Sequence, residues 1–227
     1  MSFITKVRNL FKNHRDTVTP VFRPGSRLTS AGISIILFLI LAGCTKTFNT
    51  EKELWGYLQD ESNGYVQHKN INGIDFTLIY KPTDLLVKQE LGENGAIDQI
   101  NALRKKYSQY LYFNLSMSRN NQELLSSAAD RNQFGAMVNQ LAFGMGNKVH
   151  VYTQQKDTLE LLDFVYPRMY GMSHSTDILF VYPKDEKYLK DEYLNFTVED
   201  LGLYSGDVKF KIPVKNIKEE PTLNLKG

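Results

Sequence analysis

The most chemically loaded stretch of the chain is Gly171-Met172-Ser173-His174-Ser175-Thr176-Asp177, which sets one imidazole and one carboxylate among three hydroxyls. A histidine with a carboxylate can ligate zinc or orient a hydroxyl nucleophile. The same residue types also close turns by hydrogen bonding their own backbone. No HExxH, no G-x-S-x-G and no second nearby histidine supports the sharper chemistry. The stretch therefore reads as a loop between strands, and an anchored hydrolase using His174 is the less favoured use of it. His68 and His150 stand in alternating segments, at positions that face solvent or a sheet rim. Residues 143–148, Phe-Gly-Met-Gly-Asn-Lys, carry glycines but lack the spacing of a phosphate loop and the hydroxyl after its lysine. They read as a helix stop. No catalytic set, metal site or cofactor is expected from these positions.

The chain has one cysteine, Cys44, which excludes an intramolecular disulfide and any multi-cysteine zinc site. The whole-chain charge of +2 hides an asymmetry. Lys6, Arg8, Lys12, Arg15, Arg23 and Arg27 stand against the single Asp16 before Cys44, a balance of +5, so the remainder carries −3. A mildly acidic domain without a Lys/Arg cluster has no footprint for nucleic acid. All 13 tyrosines follow Cys44, among them Tyr107, Tyr110, Tyr112, Tyr166 and Tyr170. Tyrosine suits both strands and binding surfaces.

Residues 31–43 (AGISIILFLILAG) contain no charge. The run is shorter than the roughly 20 residues a membrane span requires. It matches the apolar core of an export signal behind a basic head. It ends in Leu41-Ala42-Gly43-Cys44, which resembles the lipobox of bacterial lipoproteins at all four positions. The resemblance covers residues 1–44 alone. It implies that a diacylglycerol is attached to the Cys44 thiol and that a lipoprotein signal peptidase cuts between Gly43 and Cys44. It also implies a new amine open to acylation by chains such as palmitate. Two or three acyl chains anchor firmly where one does not. The basic head is long for such a signal, about 30 residues, with Pro20, Pro24 and Gly25; translation from a start beyond Met1 would give the same mature chain. Thr45 is not the aspartate that marks inner-membrane retention in Gram-negative lipoproteins. The resemblance therefore implies an outer-membrane anchor facing the periplasm.

The elements that would carry these residues are legible in outline. Thr50 and Glu53 have capping-box spacing, which predicts a helix over 51–59 with Leu54, Trp55 and Leu58 on one side. Asn72-Gly73 predicts a type I′ turn that sets Ile71 against Ile74 and His68 against Thr77. Ile74, Phe76, Leu78 and Tyr80 then face the core, with His68 and Asp75 on the other side, and residues 82–84 (Pro-Thr-Asp) end the strand. A helix over 96–107 presents Ile97, Ile100, Leu103 and Tyr107. A strand covers 110–117. Asp130 caps a helix with Phe134, Met137, Val138 and Leu141 at i, i+3, i+4 and i+7. Segments 149–153 and 158–165 read as a hairpin, 177–182 as a central strand, and 193–199 and 207–214 as further strands, with Pro213 marking an edge or an end.

The expected fold is α+β: a mostly antiparallel sheet of about eight strands with two longer helices packed on it. The expected order is a signal peptide over 1–43, a lipidated tether over 44–50, one domain over 51–214 and a loose tail over 215–227. The expected function is a non-enzymatic accessory or assembly subunit of a larger envelope complex, bound to the membrane through acyl chains on Cys44 and to a protein partner. A lipoprotein that captures a peptide, glycan or small molecule is the alternative.

Overall fold

Thr50 accepts a hydrogen bond from the Glu53 backbone N–H at 3.2 Å while the Glu53 carboxylate accepts from the Thr50 N–H at 3.2 Å. This reciprocal cap opens helix α1 (Glu51–Gln59), which buries Leu54 and Leu58. The computed structural model that contains it describes residues 45–92, 95–169 and 172–225. The lipobox and everything before it lie outside the described residues, as do Tyr170 and Gly171.

After α1, strands β2 (Val66–Ile71) and β3 (Ile74–Tyr80) pair in the expected register, Ile71 against Ile74 and His68 against Thr77. Asn72 and Gly73 both have positive φ, 52° and 75°, as the tight turn demands. Helix α2 (Thr83–Leu91) follows directly, where the sequence reading placed only the end of a strand. Asp84, Leu85, Leu86 and Val87 of α2 are all buried, so no polar face gave the helical period away. Helix α3 (Ile97–Tyr107) buries Ile100, Leu103 and Tyr107, but Ile97, expected on that side, is 57% exposed.

The fold is α+β and mostly antiparallel, as expected, but the sheet layout differs. Twelve strands stand among the described residues, in three sheets and not one. Strand β4 (Tyr110–Arg119) lies between β3 and β9 (Thr176–Pro183), and β8 (Asp163–Val165) and β2 form the two sides. The short β5 (Gln122–Glu123) pairs with β4. A second sheet has the order β11 (Val208–Pro213), β10 (Tyr193–Val198), β6 (Val149–Tyr152), β7 (Thr158–Leu159). The expected strand over 158–165 is thus split. Its first residues pair with β6 and its last join the larger sheet beside β9. Pro213 ends β11.

The two larger sheets meet through aromatic rings. Phe196 on β10 lies 5.6 Å from Phe113 on β4 and 5.8 Å from Phe180 on β9, edge to face in both cases. Phe210 on β11 extends the row at 6.4 Å from Phe196. All four rings are at most 1% exposed. At one side the sandwich is closed by Gln67 of β2, whose amide donates to the Lys211 carbonyl and accepts from the Lys211 N–H of β11. That side chain covers an edge backbone that would otherwise be open to pairing.

Helix α4 (Arg131–Asn139) is capped by Asp130, as the spacing predicts, through the Gln133 N–H at 2.8 Å. Its apolar stripe is only half covered: Phe134 is 40% exposed and Leu141 alone among the four is buried. The helix runs on through a π turn and a 3-10 turn over 140–147, where Phe143 is 72% exposed.

The two ends of the domain are not loose. Residues after β11 form helix α5 (Val214–Lys218) and strand β12 (Thr222–Leu223), and β12 pairs in parallel with β1 (Thr47–Phe48). Of the tether expected over 44–50, Thr47 and Phe48 are drawn into β1, with Thr45 and Lys46 before it. Two carboxylates stitch the C-terminal segment down. Glu220 accepts from Tyr80 Oη at 2.6 Å, the Thr83 N–H at 2.8 Å and Lys184 Nζ at 2.5 Å. Asp84, 3% exposed, accepts from Arg104 Nε and Nη2 at 2.8 and 2.7 Å and from the Leu223 N–H at 2.7 Å. Arg104 Nη2 also donates to the Leu223 carbonyl at 2.9 Å. Removing one partner of a buried pair leaves the other without its acceptor. Asp84→Ala is expected to lower unfolding stability by about 3 kcal/mol. Urea unfolding followed by circular dichroism measures it, and a loss under about 1 kcal/mol, the size of an ordinary surface contact, would show that the clamp is not structural.

Candidate functional site

Alternation places His150 and Tyr152 of β6, Thr197 of β10 and Thr158 of β7 on the outer face of the smaller sheet, because Val149, Val151, Phe196 and Leu159 take the inner positions. With Lys156, Glu199 and Asp207 these residues line an open groove of about 350 Å3. Its size is at the lower end for small-ligand sites. Lys156 sits in the turn between β6 and β7 with φ of 70°, the left-handed conformation. Cross-strand pairing sets His150 opposite Thr197.

The groove is internally paired. Glu199 accepts from His150 Nε2 at 3.0 Å and from Lys148 Nζ at 3.1 Å. Those hydrogen bonds, Lys148 first and then His150, hold the Glu199 carboxyl below its ordinary range. Tyr152 Oη and Thr197 Oγ1 are 3.1 Å apart. The surface offers carboxylates, hydroxyls, an imidazole and one phenol ring. That donor and acceptor set can hold a polar ligand; a histidine paired with a carboxylate can also move a proton.

The three histidines among the described residues do not converge. His68 lies on the outer face of the larger sheet, 2.7 Å from Thr77 Oγ1, on the side the alternation predicted. His174 is exposed, and its Nδ1 approaches the Asn121 carbonyl at 3.4 Å. In the same loop Ser175 donates to Asp177 at 2.7 Å and Thr176 Oγ1 accepts from the Leu124 N–H at 3.0 Å. The hydroxyls thus close the loop and its contact to the 3-10 turn Leu124–Ser127 that follows β5, and no described hydrogen bond joins His174 to either serine. Among the described residues no group of three His, Cys, Asp or Glu side chains is arranged to hold a metal. The tyrosines divide. Tyr107 and Tyr112 are buried, and Tyr107 donates to Glu90, while Tyr204 is 87% exposed at a positive φ of 59°.

Lys81 is the polar residue that sequence reasoning missed. It follows β3 directly and is only 8% exposed. Its Nζ meets one hydrogen-bond partner, Gln89 Oε1, at 3.4 Å, and lies 5.9 Å from the centre of the Trp55 ring. Burial pushes the amine down to about 8, against the weaker upward pull of Glu51 and Asp177. The signal for it in the sequence was weak: a lysine just before Pro82 looks like any strand end. Since the folded state binds this proton less tightly than the unfolded chain, the penalty is fully present below pH 8. It is relieved as the pH rises from about 8 toward 10.5. Tyr65, Tyr80, Tyr112 and Tyr182 act the other way, because burial holds their phenols above the ordinary value of 10. Their contribution is lost above pH 10, once unfolded phenols ionise. The unfolding free energy from urea titrations is therefore expected to climb between pH 8 and 10, by an amount that tends toward about 3 kcal/mol for the full shift from 10.5 to 8. Lys81→Met should flatten that climb, and an equal climb in the variant would remove Lys81 as its source.

No protein-family model matches the chain, and no curated protein matches it. Two solved structures are similar in part. One is a DUF4426 family protein from Pseudomonas aeruginosa PAO1, at 11% identity and TM-score 0.36, with 66% of this chain and 94% of that chain covered. The other is a protein of unknown function from Burkholderia pseudomallei K96243, at 11% identity and TM-score 0.39, with 73% and 86% covered.

Proposed function

We propose that the chain is the precursor of a lipid-anchored bacterial envelope protein, cut before Cys44, whose domain serves as a non-enzymatic accessory or assembly subunit of a larger complex. The observation that carries this reading is a coincidence of boundaries. The compact unit begins at Thr45, the residue after the cysteine of the lipobox. Among the described residues no helix is long and apolar enough to cross a membrane, and an acyl anchor needs none.

The placement of exposed apolar groups supports a protein partner. The clamped end of the domain, with Glu220, Tyr80 and Lys184, adjoins the two-residue tether. Strands β3 and β9 run from there to the opposite end, roughly 20–25 Å away at about 3.3 Å per residue. That far end carries Met172, 79% exposed, and Tyr204, 87% exposed, whose carbonyl is fixed by Asn72 Nδ2 at 2.5 Å. Methionine and tyrosine are enriched at protein interfaces, and this position presents them away from the bilayer. The periplasmic face of the outer membrane is the proposed location.

A second reading, capture of a small polar ligand, is favoured by the groove around His150 and Glu199. Its test is a thermal-shift screen of the full chain against short peptides and oligosaccharides. A saturable shift that disappears in His150→Ala would favour capture; a screen without saturable hits would leave the accessory role alone. The anchor is tested by Cys44→Ser in cells fed a labelled fatty acid. The label is expected to disappear from the protein and the uncut precursor to accumulate. Normal cutting or undiminished label in that variant would overturn the lipoprotein reading. Crosslinking in mild detergent is expected to retain a partner, and recovery of the chain alone would count against a subunit role.

A further inference from the structure

Tyr152 of β6 is paired directly with Asn195 of β10, yet its hydroxyl lies 3.1 Å from Thr197 Oγ1, the next outward-facing position along β10. An aromatic side chain can reach a diagonal neighbour of this kind. Thr197 is only 5% exposed, so its hydroxyl lies low against the sheet. A phenol that reaches it lies over the strands and turns one ring face toward the groove it helps to line. Two charged groups of the same groove are uncommitted. Among the described residues the Asp207 carboxylate and the Lys156 ammonium make no ion pair within 4.0 Å and no hydrogen bond. Asp207 stands beside Glu199, where the Val198–Val208 pairing continues by one step. Lys156 stands at the other end, in the turn beyond Tyr152, its N–H donating to the Thr153 carbonyl at 3.1 Å. The 4 residues of β6 separate the two ends, about 13 Å at roughly 3.3 Å per residue.

The floor of the groove offers side chains alone. The backbone of β10 is paired with β6 on one side and β11 on the other, and β6 is paired again with β7. An extended peptide binds by adding to an open strand edge, and this face has none. The charges select further. A ligand carboxylate would meet Glu199 and Asp207; a ligand ammonium would meet Lys156 and, beside Glu199, Lys148. A neutral molecule whose groups both donate and accept suits every one of them. We infer that the groove binds a neutral disaccharide, with the C–H face of one ring against Tyr152 and hydroxyls that donate to Asp207 and accept from Lys156. This assignment rests on the reading of the groove as a capture site for a small polar ligand. The volume of about 350 Å3 has room for two sugar rings, and the lysine stem covers the remaining length. The two oxygens of Asp207 can accept from hydroxyls on neighbouring carbons of one ring. Glu199 already accepts from His150 and Lys148, so Asp207 is where a ligand gains an acceptor without breaking a contact.

The full-length chain, in a detergent without a sugar headgroup, is titrated by calorimetry with maltose, cellobiose and N,N′-diacetylchitobiose. Chitobiose, which carries ammonium groups, cellobiouronate, which carries a carboxylate, and trialanine form parallel arms. At least one neutral disaccharide is expected to bind saturably, about threefold or more tighter than its charged counterpart. Asp207 is exposed, and Asp207→Ala is expected to weaken that binding about tenfold, the loss of hydrogen bonds to a charged group. Tyr152→Ala is expected to weaken it about tenfold through loss of the ring. Tyr152→Phe keeps the ring and the fold but frees it from Thr197, and about a threefold loss is expected. Saturable binding of trialanine alone, lost in His150→Ala, would overturn the saccharide and leave the capture reading standing. No saturable binding of any probe would overturn both. Charged disaccharides bound as tightly as neutral ones, or neutral binding unchanged in Tyr152→Ala and Asp207→Ala, would also overturn the assignment.

Discussion

Two carboxylates taken out of water hold the two ends of the domain together. Asp84 and Glu220 can only accept hydrogen bonds, and a buried acceptor of that strength must be surrounded by donors. Asp84 draws Arg104 from α3 and the Leu223 N–H from β12; Glu220 draws Tyr80, Lys184 and the first N–H of α2. The second set explains a local oddity. Helix α2 starts after Pro82, which offers no capping side chain. Its open N-terminus is satisfied by a carboxylate more than a hundred residues later in the chain. Once that contact forms, the two-residue parallel pair of β1 and β12 follows, although so short a ladder has little stability alone.

The sandwich itself rests on a different interaction, the interlocking of phenylalanine rings between the sheets. Phe113, Phe180, Phe196 and Phe210 pack edge to face at centroid distances of 5.6 to 6.4 Å. That geometry suits the ring quadrupoles and fixes which faces of the two sheets meet. The groove around His150 and Glu199 is left on the outer face of the smaller sheet.

Glu199, Lys148 and His150 are paired within 3.1 Å, so a ligand in the groove must compete with contacts already made. Lys81 is placed differently, buried after β3 with a single long hydrogen bond to Gln89 at 3.4 Å. The exposed Met172 and Tyr204 stand apart from the clamp formed by Glu220, Tyr80 and Lys184.

Local signals in the sequence determined the local structure. The capping box at Thr50 and Glu53, the Asn72-Gly73 turn with its register, the Asp130 cap and the alternation along β3 and β11 all describe contacts within a few residues, and all appear as read. The lipobox, equally local, set the expectation for Cys44. Only the tertiary structure decided how strands divide between two sheets, because alternation says that a strand has an inner face and not which sheet supplies the other half. It also decided that residues 215–225 are bound, since Glu219, Glu220 and Pro221 look like tail until Tyr80, Thr83 and Lys184 are brought to Glu220. Lys81 was hidden for the same reason. Burial and the shortage of acceptors around a side chain are properties of what packs over it, and no spacing within the chain encodes them.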